Sequence, residues 1–174
     1  MTRSAMAELA PDPAVDVLIE SQAWQALPNA EDVVRRAVTL AAASAAMTNH
    51  RGTEVSVLLC DDHTIAGLNA HWRGQEGPTN VLSFPAPPLP RAAPDGRAPL
   101  GDIAIAYETV AREAAEQGKP VTDHLFHLVV HGFLHLLGYD HHVDGEAERM
   151  ERLERDILAQ IGIADPYVSR DAEI

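Results

Sequence analysis

The segment HLVVHGFLHLLGYDH, from His127 to His141, constrains this chain more than any other. Its apolar run stops at Gly138, and a glycine there can adopt the left-handed turn that closes a helix. The helix is expected to start near Pro120 and Thr122 and to run through Leu137. His131 and His135 are four residues apart, so a helix stacks their rings on one face, where they can chelate one ion. A chain reversed at Gly138 can swing His141 back toward them. Three imidazoles with a fourth position open are the arrangement of a catalytic zinc rather than a structural one. Zinc held in this way lowers the pKa of a bound water to about 7 and makes hydroxide available at neutral pH.

The spacing H-x-x-x-H-x-x-G-x-x-H also resembles that of the metzincin zinc peptidases. Those enzymes carry a glutamate after the first histidine as general base. Gly132 stands there in this chain, so the metal cage is present and the peptidase base is missing. His124 and His127 extend the same helical face. His127 is a candidate for a hydrogen bond to a ligand ring or for substrate contact, while His124 reads as a solvated residue at the helix start. Metal-bound histidines need a partner on their other ring nitrogen, and Asp140, Asp144 and Glu146 are the candidates.

Around this segment the pattern predicts an α+β fold. VDVLIE (from Val15), EVSVLLC (from Glu54), TNVLSFP (to Pro85) and GDIAIAY (from Gly101) read as strands. Asn29 offers an N-cap to a helix through Met47, and Asp61 or Asp62 caps a short helix ending near Trp72. From Pro85 to Pro99 the proline density predicts a loop unable to join a ladder. YETVAREAAEQG, closed at Gly118, and a last amphipathic segment, Gly145 to Ile161, complete the helices. The expectation is one domain over residues 1–174, with its core at about 14–162 and short tails. A small mixed four-stranded sheet is covered by about five helices, with the metal site on the penultimate helix and the turn after it.

Composition narrows the setting. The longest apolar run, Ala41 to Met47, is too short to span a bilayer, and the N-terminus lacks a signal-peptide core. The one cysteine, Cys60, lies in a strand and reads as a small buried hydrophobe, so a reducing cytoplasm is expected. The formal net charge is −13, spread along the whole chain, which disfavours nucleic-acid binding by charge alone.

HGFLHLLGYDH resembles the signature of the bacterial YbeY family, the endoribonucleases of ribosomal RNA maturation. LNAHWRGQEGPTNVLSFP, from Leu68, and LGDIAIAYETVAREA, from Leu100, resemble two further signatures of that family. The three span about Leu68 to Glu151 in the expected order, nearly half the chain. The resemblance implies one zinc ion per chain on His131, His135 and His141, with Arg73 as the arginine needed for activity. It also implies a cytoplasmic hydrolase acting on single-stranded ribosomal RNA precursors at the small ribosomal subunit, in contact with a ribosomal protein, without membrane or nucleotide cofactor. Phosphodiester hydrolysis gathers negative charge on the phosphoryl oxygens, and an arginine fork opposite a metal can neutralise it. Arg73 reads as part of a loop flanked by Gly74 and Gly77. Asn80 and Ser83 read as structural.

The acidity sits against this reading. Lys119 is the one lysine and Arg35-Arg36 the longest basic run. A basic patch would have to be assembled in three dimensions from Arg35, Arg36, Arg51, Arg73, Arg91 and Arg97, or the ribosome would have to supply the affinity. A zinc peptidase and a non-catalytic ribosome assembly factor are the competing functions.

Overall fold

The computed structural model describes residues 13–45, 52–87, 98–140 and 144–167. Four strands, β1 (Ala14–Ile19), β2 (Thr53–Cys60), β3 (Val81–Pro85) and β4 (Ala98–Ala106), form one sheet in the order β1-β2-β4-β3. β1 and β4 run parallel to β2, and β3 runs antiparallel to β4. The helices are α1 (Ala30–Ser44), α2 (Asp62–Arg73), α3 (Tyr107–Glu116), α4 (Val121–Leu136) and α5 (Asp144–Ala159). This is the mixed four-stranded α+β architecture predicted by the alternating strands and the helices gathered toward the C-terminus.

The period-2 pattern sorts the sheet into two faces. Val55, Val57, Leu59, Ile103 and Ile105 point into the main core with α1, α4 and α5. Cys60, Leu82, Ala104 and Ala106 point the other way, under Ile65 of α2. α4 is the central helix. After Asp123 its only polar side chains are His124, His127, His131 and His135; Leu125, Phe126, Leu128, Val129, Val130, Phe133, Leu134 and Leu136 are all buried. Each such residue contributes roughly 1.5–3 kcal/mol of burial energy, which fixes the helix's rotation and hence where its histidines face. α1 meets α4 through a stripe of small residues, Ala30, Val33, Val34, Ala37, Val38 and Ala41, that allows close approach.

Two local expectations are adjusted and one element is added. Asn29 occupies the N-cap of α1 but makes no side-chain cap bond, because its backbone (φ −93°, ψ 13°) is outside the extended region that turns a cap side chain inward. Pro99 lies inside β4. The register slips there, Glu54 facing Pro99 and Val55 facing Gly101, so the missing N–H falls at a bulge, beyond the end of β3 pairing at Pro85. A 3₁₀ turn (Gln22–Ala26), not foreseen, buries Trp24, whose Nε1 donates to the Cys60 carbonyl at 2.8 Å. Cys60 itself is buried, and burial followed by the nearby Glu20 and Asp61 charges pushes its thiol up to about 12. Among the described residues, no helix is long and apolar enough to cross a membrane.

Candidate metal centre

Gly138 closes α4 as its φ of +97° requires. The Gly138 N–H donates to the His135 carbonyl at 3.0 Å and the Tyr139 N–H to the Leu134 carbonyl at 3.2 Å, the paired bonds of a Schellman turn. The helix therefore stops one residue after His135, the last histidine of its polar stripe. Nε2 of His131 and Nε2 of His135 lie 3.2 Å apart. His141, the expected third ligand, and His142 lie outside the described residues.

The other nitrogen of His131 is also engaged. Its Nδ1 sits 2.5 Å from Oε1 of Glu154, a fully buried carboxylate on α5. His127 Nε2 is 3.5 Å from Oε2 of the same group, and the Tyr167 hydroxyl donates to that oxygen. Burial pulls the Glu154 carboxyl up, but the adjoining His127 and His131 rings outweigh it and hold the group at about 2. His127, His131 and Glu154 offer ligand atoms within 4.8 Å of one another, a cluster able to hold a metal ion.

Several sequence-based assignments change here. Glu146 is exposed, and the carboxylate on a histidine ring is Glu154, which the sequence reading missed. A signal existed: Glu154 falls in register with Met150, Ile157 and Leu158, a lone charge on the apolar stripe of α5. Asp140 lines the cleft beside His135, and the Asp144 side chain is outside the described set. His124 is not solvated. It is buried, with Nε2 2.6 Å from Oε2 of Glu113, whose carboxylate also accepts from Asn80 Nδ2 at 3.0 Å. Burial, only partly offset by Glu113, lowers the His124 pKa.

Arg73 is the last residue of α2, not part of a loop. Gly74 adopts the left-handed conformation behind it, and Asn69 Nδ2 pins the following loop by donating to the Gly77 carbonyl at 3.0 Å. Arg73 Nη2 donates to the Ser83 carbonyl on β3 at 2.8 Å. The Ser83 hydroxyl in turn donates to the Gly132 carbonyl on α4 at 3.0 Å. Arg73, Ser83, His131, His135, Tyr139 and Asp140 share one open cleft of about 510 Å³.

Gly132 explains the absent peptidase base. A Cβ there would meet Ser83 Oγ at 3.0 Å, Ile103 Cγ2 at 3.2 Å and Val81 Cγ2 at 3.3 Å. Position 132 faces strands β3 and β4 and has no room for a glutamate. Of the arginines expected in a basic patch, Arg35 is engaged elsewhere. Arg35 bonds Glu31 at 2.8 Å and the Val15 carbonyl at 2.6 Å, which places it at the β1 edge of the sheet, opposite β3. Arg51, Arg91 and Arg97 lie outside the described residues.

Compared with known proteins, residues 18–162 match the family model of Endoribonuclease YbeY. The chain belongs to the YbeY family. Among curated YbeY relatives, one named Endoribonuclease YbeY from Bradyrhizobium sp. strain BTAi1 is 54% identical, over 92% of this chain and 96% of that protein. Another of the same name, from Rhodopseudomonas palustris strain BisB18, is 55% identical over 91% of this chain and 95% of that protein. Among solved structures, the solution structure of TM1509 from Thermotoga maritima aligns with a TM-score of 0.49 and 25% identity, covering 84% of this chain and 91% of that one.

Proposed function

We propose that this chain is a zinc-dependent endoribonuclease that cuts single-stranded RNA during ribosomal RNA maturation and quality control. YbeY membership and the name shared by the relatives support the activity. The observation that carries the metal assignment is the 3.2 Å between the Nε2 atoms of His131 and His135. Two nitrogens bonded to one tetrahedral zinc at ~2.0–2.1 Å lie roughly 3.3 Å apart, so this pair fits the ion. The 2.5 Å contact from His131 Nδ1 to Glu154 is too short to hold an ion between the two atoms and is a hydrogen bond. The ion therefore belongs on the Nε2 side, one per chain, with His141 as the third ligand. Bound there, zinc supplies a Lewis acid and an acidified water.

The chain's own residues do the rest. Arg73 spends one donor on the Ser83 carbonyl, which aims the remainder of its fork at the cleft, where it grips phosphoryl oxygens as charge builds on them. With a net charge of −13 the chain does not hold naked RNA strongly, so the small ribosomal subunit, through its RNA or a ribosomal protein, supplies site selection. A cytoplasmic location follows from that substrate. The deciding experiment compares RNase-free preparations with and without a chelator on precursor RNA and on assembled subunits. Cleavage that stops with chelator and returns with zinc supports the proposal. Zinc-loaded protein inactive on both substrates would sink it in favour of a non-catalytic assembly factor.

A further inference from the structure

We propose that Glu154 is the positioning residue of the metal centre: from α5 it fixes the tautomer and tilt of His131, and Tyr167 holds it in place. The inference rests on zinc binding at the Nε2 side of His131 and His135. Glu154 is fully buried on a helix face otherwise made of Met150, Ile157 and Leu158. A carboxylate on such a face is costly unless its oxygens are satisfied. Both are: Oε1 faces His131 Nδ1 at 2.5 Å, while Oε2 accepts from the Tyr167 hydroxyl and has His127 Nε2 at 3.5 Å.

An ionised carboxylate can only accept, so His131 Nδ1 must carry the proton. In the neutral ring that a metal requires, Nε2 then holds the lone pair, on the side of His135 Nε2, 3.2 Å away. The same bond stops the ring from turning about its χ2 axis and makes the ligand nitrogen more electron-rich. Tyr167 is itself locked. Its backbone N–H donates to Asp165 Oδ1 at 2.8 Å, Arg155 pairs with Asp165 at 3.0 Å, and the Arg155 guanidinium lies 5.4 Å from the Tyr167 ring centre. The segment after α5 thereby buttresses a ligand ring on α4, a coupling between the chain's C-terminal end and metal affinity.

The test measures zinc affinity by chelator competition, together with the ¹⁵N shifts of His131 in metal-free protein. In the wild type these shifts should report a neutral ring with protonated Nδ1 and unprotonated Nε2. Glu154→Gln should weaken zinc binding by about 10- to 100-fold and mix the two tautomers, while the His131 and His135 stoichiometry stays at one ion. Tyr167→Phe removes one hydroxyl from a half-buried residue and should weaken binding by a smaller factor with the fold intact. It keeps the test open if Glu154→Gln does not fold. Wild-type affinity and an unchanged tautomer in the variant that folds would overturn the role of Glu154. If instead His135→Ala retains zinc while His127→Ala loses it, Glu154 is itself a ligand of an ion on the Nδ1 side. That result would overturn both this inference and the Nε2 assignment, whereas loss of affinity in His135→Ala with none in Glu154→Gln overturns this inference alone.

Discussion

The Ser83 hydroxyl donates to the Gly132 carbonyl at 3.0 Å, fastening β3 to the middle of the histidine helix. Through the Ser83 carbonyl, 2.8 Å from Arg73, the same residue also sets the distance between the arginine and the two imidazoles. Ser83 thus ties two walls of the cleft together, its hydroxyl to α4 and its carbonyl to Arg73.

Gly132→Ala should lower the unfolding free energy by about 1–2 kcal/mol, because overpacking against Ser83, Ile103 and Val81 outweighs alanine's helix propensity. Ser83→Ala should cost about 1 kcal/mol through the lost hydrogen bond. Denaturant titration checks both. An alanine at 132 that stabilises the protein would show that α4 relaxes away from the sheet.

Gly101 has a φ of +141°, and a Cβ there would sit 2.3 Å from the Phe84 carbonyl oxygen. Gly101→Ala should therefore force β3 away from β4, with a loss of roughly 3 kcal/mol or more and a widened cleft. Unfolding of this variant at wild-type midpoint would contradict the strand pairing described above.

Protein purified without added metal should contain about one zinc per chain, and the double variant His131→Ala/His135→Ala should contain none. Elemental analysis decides it. Full metal content in the double variant would move the site elsewhere.

Arg73→Ala should lose roughly two or more orders of magnitude in RNA cleavage while keeping its zinc and most of its thermal stability. Arg73→Lys should rescue poorly, since a point charge lacks the planar fork and cannot bridge Ser83 and a phosphoryl group together. Single-turnover cleavage rates make the comparison. Wild-type rates in the alanine variant would reduce Arg73 to a tether on β3.

His124 is held below its ordinary 6.5 when folded, so the unfolded chain binds more protons as the pH falls. Its stabilisation is complete above about pH 6.5 and is lost as the pH drops through the folded value. Glu154, at about 2 folded against 4.5 unfolded, adds a second loss below 4.5. Melting curves of metal-free protein between about pH 8 and pH 4 should slope downward toward acid, and His124→Gln should flatten the upper part. A flat profile from pH 7 to 5 would mean that His124 is not buried in neutral form.

Much of this protein was set by the sequence alone, because the relevant physics is local. Four-residue spacing puts His131 and His135 on one helical face whatever surrounds them, and Gly138 ends that helix through its own backbone freedom. Alternation fixed the inward face of β2 and β4, and the acidic balance needed no structure. Only the tertiary structure decided the rest. That His124 is buried against Glu113, that Glu154 rather than Glu146 meets His131, and that Arg73 reaches Ser83 depend on contacts between separate elements. The sheet order likewise carried Arg35 to the edge opposite the cleft. Such meetings follow from how buried apolar faces pack, and packing joins residues whose separation along the chain says nothing about their separation in space.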